Sequence, residues 1–449
     1  MEFISLLDYL LLPVFVALIF VVANFVRDTY YPVGHPWREY FMPALIAKVV
    51  GAIFIGLIYQ YYYGGGDTSN YHYHAKVINS SFGESPVKWF NLILRLPHWY
   101  DGDYSEYISK MWWYEAPTEY IVGSIAALVG IFAFTTYLPT AVLFGAISFT
   151  GIWALFQTFA TKYPAYTRYI AWCTLFIPST IMWGSGIFKD TICMFGLGWL
   201  TYGAFRMLLL RDFSPKNIVL TVVSFWLIAN IKLYILLAFI PALALWILFT
   251  YSHKIQSATS RFAVKLLVIL ACVGGFLVFS QKFAAELGKY SLENVARTSY
   301  VTSSYIASVS GDDGSAYSLG DMDPSIPGML KKFPLAVNVT LFRPYLWETR
   351  KPLQFLNAAE AFMFMWVTIK VLFGIGLRRV WKTIGEDPTI QFCLIFTIIF
   401  AFAVGLSSGN FGALSRYRIP CLPFFGLSLV LIYYKHNPTS KNILSFRWN

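Results

Sequence analysis

In the stretch GGGDTSNYHYHA, residues 64–75, an aspartate, two tyrosines and two histidines follow three glycines directly after a long apolar run. Asp67 is the residue of chemical interest. A carboxylate held against a hydroxyl acts as a general base, and a histidine beside it tunes its basicity or binds a phosphate. Gly64, Gly65 and Gly66 let the chain leave the preceding helix in conformations that other residues rarely adopt. If 69–80 is helical, Asp67 and Tyr71 share a face at i, i+4, with His74 near that face. His72 and His74 are therefore candidate catalytic partners of Asp67, and Tyr71 a candidate substrate contact. The plainer alternative is an interfacial turn whose tyrosines belong to an aromatic belt. Further along, WYDGDYSEY carries Asp101 and Asp103, and a D-x-D pair offers hard oxygen ligands to a divalent cation. Asp67, Asp101 and Asp103 are the candidate metal ligands, although such pairs also arise by chance in solvated loops.

Cationic residues next to apolar runs form three more groups. In IPSTIMWGSGIFKDTI, Lys189 can bind a phosphate and Asp190 can orient or deprotonate an acceptor, while a helix cap explains Asp190 more simply. In LFRPYLWE, the planar fork of Arg343 suits a phosphate or carboxylate, and a structural ion pair with Glu348 explains the same residues equally well. In SSGNFGALSRYRIPCLP, Asn410, Arg416 and Arg418 stand at the start of an apolar run, where arginines either snorkel to the interface or bind an anion.

The elements that must position these groups are membrane helices. Of 449 residues, 57% are hydrophobic and 13% charged, against about 25% charged in soluble domains. Apolar runs of about 20 residues, the length that crosses a bilayer, recur along the chain. Their length and uniform apolarity favour helices over barrel strands. The sequence predicts an all-α polytopic membrane protein with about twelve spans (11–13). They fall near 9–26, 41–63, 119–136, 139–160, 166–183, 191–210, 217–233, 234–251, 262–281, 356–377, 389–406 and 411–434. The first run lacks a basic leader and a cleavage site, so it reads as a retained helix.

The division that follows is two helices in 1–63, an acidic external loop in 64–118, and central helices in 119–281. A second external loop occupies 282–355, and the last helices with a basic tail occupy 356–449. Within that second loop, GDDGSAYSLGDMDPS reads as a mobile lid. The net charge of +11 gathers in RMLLLRDFSPK, SHKIQSATSRFAVK, LRRVWK and the tail, the positive-inside pattern of cytoplasmic connections. Nothing else supports a nucleic-acid partner. This bias puts both long loops outside only if 119–160 crosses an odd number of times, whereas its length suggests two crossings. A half-helix there resolves the conflict, if protein covers it. All five cysteines fall in expected spans, which leaves no disulfide or CxxC framework.

GGGDTSNYHYHA resembles the acidic motif of the first large external loop in the GT-C fold class of membrane glycosyltransferases, which take a sugar from a polyprenyl-phosphate carrier. PSTIMWGSGIFKD resembles the second external aspartate turn of that class, and LFRPYLWE and GNFGALSRYRIPCLP are similar to stretches of bacterial members. Together these motifs cover about a tenth of the chain. Members often have a single span before the acidic loop, where this chain has two.

The resemblance implies a GT-C-like fold in a bacterial inner (cytoplasmic) membrane, with an active site on the external or periplasmic face. Asp67 would be the base or a metal-linked carboxylate, with Arg343, Arg416 or Lys189 near the carrier phosphate. The partners would be a polyprenyl-phosphate-linked sugar donor, a glycan, lipid or protein acceptor, and membrane lipids, with a divalent cation as a cofactor to test. The nearest rival is an O-antigen or exopolysaccharide polymerase or ligase, which takes a lipid-linked oligosaccharide. A transporter or flippase would instead line a pathway with charges, and here Lys48, Lys232 and Glu360 read as lying near helix ends.

Overall fold

The computed structural model describes residues 2–252, 294–309, 316–320, 325–349 and 351–438, with isolated positions in 257–274, at 323 and at 443–444. The chain divides into two compact units, Met1–Leu233 and Tyr234–Asn449. Seven helices among the described residues are long and apolar enough to cross a membrane, or eight if one bent pair counts as a span. The protein is an integral membrane protein built from α-helices.

In the N-terminal unit α1 (Leu6–Tyr30) and α2 (Arg38–Tyr61) are the first two spans. At the start of α1 one oxygen of Asp8 accepts from the Ser5 N–H and hydroxyl, and its other oxygen accepts the Leu138 backbone N–H at 2.8 Å. After Gly64–Gly66 come α3 (Asp67–Ser80), α4 (Pro86–Ile93), α5 (Ser105–Ile108) and α6 (Pro117–Gly130). The buried α7 (Tyr137–Lys162) packs on α1, α2 and α10 (Lys189–Ala204), with α8 (Thr167–Leu175) and α9 (Pro178–Trp183) between them in sequence. Where α7 meets α10, a Cβ on Gly198 would stand 1.8 Å from the Gly151 carbonyl oxygen. Only glycine allows that approach, the small-residue contact typical of membrane helix pairs.

Of the two spans expected in 119–160, the first corresponds to the short helix α6. Its 14 residues reach about 21 Å, short of the roughly 30 Å hydrocarbon core. Asn79, late in α3, donates to Ala127 O of α6 at 3.0 Å and to Thr135 Oγ1 just before α7 at 2.9 Å. Tyr137 OH, opening α7, meets Thr68 Oγ1 at the start of α3 at 2.7 Å. Both the end of α6 and the start of α7 are thus fastened to α3, and of the two only α7 is long enough to cross.

The expected span 166–183 is broken. Pro178 starts α9 after an extended Ile177, as the residue before a proline prefers, and 184–188 is not helical. Non-helical backbone amid apolar helices needs internal partners, and it has them. Lys48 Nζ donates to Thr180 O at 3.1 Å and Gly184 O at 2.7 Å, Ser148 Oγ to Gly184 O at 2.8 Å, and Thr191 Oγ1 to Gly186 O at 2.6 Å. Lys48 is therefore buried within α2 and not near its end, because the broken α9 needs a donor at that depth.

The expected spans 217–233 and 234–251 occupy one stretch, α11 (Pro215–Ser252), whose backbone leaves helical geometry at Lys232 with φ −144° and ψ 72°. The expected span 262–281 lies largely outside the described residues. In the C-terminal unit α12 (Val295–Val309), α13 (Ile326–Lys331) and α14 (Phe333–Phe342) occupy much of what reads in sequence as an external loop. α15 (Pro352–Ile369) and α16 (Leu377–Glu386) follow, then the span α17 (Pro388–Ser408), then α18 (Phe411–Tyr417) and α19 (Leu422–His436), bent by 68°. The ten residues of α14 are too few to span, yet they pack tightly on α17. Thr340 Oγ1 donates to Ala401 O at 2.7 Å, and a Cβ on Gly405 would lie 2.1 Å from Ala336 O. Most of the expected lid lies outside the described residues. At its described edge Tyr317 is buried, its N–H donating to Gly409 O and its hydroxyl to Gly405 O, both at 3.0 Å.

Candidate functional site

The N-terminal unit gathers charge where α3, α6 and α10 begin and α11 breaks. Gly64, Gly65 and Gly66 have φ of 70°, 130° and 140°, a region that favours glycine, and they deliver Asp67 as the first residue of α3, half-buried. Ser69 fixes that turn, accepting from Gly66 N–H at 2.9 Å and donating to Gly66 O at 2.8 Å. Lys189 opens α10, donates to Thr118 Oγ1 at 3.0 Å and forms an ion pair with Glu119, both on the first turn of α6. The Asp67 carboxylate and the Lys232 ammonium lie within electrostatic reach of Lys189. The next residue, Asp190, is buried and ion-paired to Lys232 at the α11 break. Each of these three carboxylates stands in a first helical turn, where the helix dipole favours negative charge.

Burial opposes ionisation of Glu119, but the Lys189 ammonium and the Thr118 hydroxyl outweigh it and hold its carboxyl below the usual range. The cluster thus alternates in sign: Glu119 against Lys189, Asp190 against Lys232, and Asp67 facing Lys189 from the glycine turn. Buried ion pairs stabilise little, because desolvation offsets the Coulomb gain. Chemically, the arrangement offers a half-exposed carboxylate within electrostatic reach of an ammonium.

The histidines sit otherwise than expected. His72 is buried with its ring 5.4 Å from that of Tyr137, and His74 packs between Trp112 at 4.8 Å and Trp113 at 5.3 Å. Among the described residues His72 Nε2 and both ring nitrogens of His74 have no hydrogen-bond partner. Burial, with Lys76 adding for His72, lowers their pKa values to about 3 and about 4. Both rings are therefore neutral at ordinary pH. Tyr71 is buried against Trp113, ring centroids 5.0 Å apart, instead of being presented to a substrate. Asp101 and Asp103 are exposed at a 3₁₀ turn. No group of three or more His, Cys, Asp or Glu among the described residues is placed to hold a metal ion.

In the C-terminal unit Arg343 forms an ion pair with Glu348, which also accepts the Tyr345 N–H at 2.8 Å. The guanidinium lies over the rings of Phe411, Tyr345 and Tyr317 at 5.2, 5.7 and 5.8 Å. Asn410 caps α18, its Oδ1 accepting from the Gly412 and Ala413 N–H groups. Arg418, a phosphate candidate by sequence, is completely buried. It pairs with Glu360 at 3.2 Å and donates to Arg343 O at 2.9 Å, Thr340 O at 3.3 Å and Asn357 O at 3.4 Å. It ties α14 and α15 to the end of α18 and does not reach solvent. Arg416 is half-buried in the last turn of α18.

Sequence reasoning missed Thr118 and Glu119. The signal was present: Pro117 is a first-turn proline followed at once by an acidic residue, a helix-start signature. Lys232 was visible only as a charge at a span end. The chain matches no protein-family model, no curated protein and no solved structure.

Proposed function

We propose that this protein is a membrane glycosyltransferase that moves a sugar from a polyprenyl-phosphate carrier to a hydroxyl acceptor at the external membrane face. The observation that carries the reading is the half-exposed Asp67, presented by a glycine turn within electrostatic reach of Lys189. In the proposed reaction Asp67 takes the proton of the acceptor hydroxyl as its oxygen bonds the anomeric carbon. The bond from that carbon to the phosphate oxygen breaks, and the carrier phosphate leaves with the electron pair. Lys189 exchanges Glu119 for the departing phosphate, stabilising charge where it develops. Asp190 and Lys232, buried behind it, act as positioning residues for Lys189. A divalent cation, if used, would be held by Asp67 and would supply positive charge to stabilise the departing phosphate, since such ions need only one or two protein carboxylates.

The test is transfer of labelled sugar from a panel of polyprenyl-phosphate monosaccharides by purified wild-type, Asp67→Asn and Lys189→Gln proteins in nanodiscs. Carrier-dependent transfer by the wild type, lost in a folded Asp67→Asn variant, supports the reading. Turnover that survives Asp67→Asn keeps the enzyme but moves the base elsewhere. A lipid-linked oligosaccharide as the sole accepted donor would favour a polymerase or ligase.

A further inference from the structure

The connection between α15 and α17 carries an exposed basic helix that no part of the proposed reaction uses. Two candidate spans bracket it, Pro352–Gly374 and Pro388–Ser408, so residues 375–387 cannot move far from a membrane border. Within α16, Val380 and Thr383 are buried. Thr383 Oγ1 hydrogen-bonds His436 Nε2 at 2.7 Å, and Asp387 just beyond α16 is ion-paired to Lys435, fixing the helix to the end of α19. The opposite face is therefore held outward and cannot roll inward.

That outward face is ordered by type. Leu377 and Trp381, exposed by 52% and 70%, fall at i, i+4 and form an apolar stripe. Arg378 and Lys382, also i, i+4, form a basic stripe beside it, and Arg379 is exposed as well. Among the described residues neither arginine has an acidic partner, and Lys382 has only the exposed Glu386 at 3.9 Å. Apolar and basic stripes side by side at a membrane border are what a helix lying in the headgroup plane presents.

We propose that this face is a binding site for anionic phospholipid headgroups. Arg378, Arg379 and Lys382 lie on the phosphates, with Leu377 and Trp381 at the acyl boundary. The occupant is the bilayer and not a soluble partner, because short tethers to two apolar helices hold the site at the membrane surface.

The test uses the full-length protein in nanodiscs with photoactivatable phosphatidylglycerol, cross-links being mapped by peptide mass spectrometry, and it does not depend on the transfer reaction. Labelling should concentrate on 377–382, be competed by phosphatidylglycerol but not by phosphatidylcholine or inorganic phosphate, and weaken with added salt. Each of Arg378→Gln, Arg379→Gln and Lys382→Gln should lower the preference for the anionic lipid about fivefold. Equal competition by phosphatidylcholine, or labelling untouched by the triple substitution, overturns the proposal. So does a change of oligomeric state in the triple variant with labelling unchanged, which would place a second copy of the chain there. The competition pattern of the wild type decides the matter even if a variant folds poorly.

Discussion

Lys232 and Asp190 form an ion pair in the interior of the N-terminal unit across 42 residues of sequence, with the lysine at a break in α11 and the aspartate in the first turn of α10. Lys232→Met removes the ammonium that pairs with the buried Asp190. Loss of one partner of a buried pair costs about 3–5 kcal/mol. Thermal unfolding in detergent should show that loss, and the double variant Lys232→Met/Asp190→Leu should recover much of it. A single variant as stable as wild type would show that the pair carries no such weight.

Asp67 makes the opposite prediction, because it is half-buried at a helix start. Asp67→Asn should leave the unfolding midpoint within the small range of surface substitutions, about 0.5 kcal/mol. Transfer should fall by about 10²–10⁴-fold, the size of a general-base contribution. Parallel losses of stability and activity would instead mark Asp67 as structural.

The two histidines give the N-terminal unit a sensitivity to acid. In the unfolded chain a histidine titrates near pH 6.5, whereas folded His72 and His74 titrate at about 3 and about 4 because burial disfavours the imidazolium. Below about pH 6.5 the unfolded state binds more protons, so the stability of neutral burial is full above that pH. It falls on acidification at up to about 1.4 kcal/mol per pH unit per histidine. Denaturation midpoints measured from pH 7 to pH 4.5 should decline, and His72→Phe/His74→Phe should flatten the slope. A wild-type profile flat over this range would contradict the buried, neutral placement.

Gly66 tests the turn that delivers Asp67. Its φ is 140°, and an added Cβ would approach Tyr59 Cε1 to 2.8 Å. Gly66→Ala should cost about 1–3 kcal/mol of stability through backbone strain and lower transfer by displacing Asp67. Gly83→Ala is the control, since a Cβ there meets nothing within 4 Å. Equal effects of the two substitutions would detach Asp67 from the turn geometry.

The membrane setting and the helix runs were legible because the bilayer leaves few choices. Backbone polar groups in hydrocarbon must be satisfied internally, so α1, α2, α7, α10 and α17 appear directly as apolar runs. The helix after the glycines is expected from sequence only conditionally, over 69–80, and it begins at Asp67. The broken α9, the short α6 and the packed α14 were not legible. Whether an apolar stretch spans, stops short or breaks depends on the donors its neighbours offer, and Lys48 lies far from α9 in sequence.

The sequence by itself determined an α-helical membrane protein with carboxylates and cations at helix starts, since composition and local conformational preference act within a few residues. Only the tertiary structure decided their roles. It brought Glu119 and Lys232 to Lys189 and Asp190, and it sank Arg418 into the core against Glu360. It also buried His72 and His74 as neutral rings. Partner, depth and solvation set what an ionisable side chain can do, and all three come from residues distant in the chain.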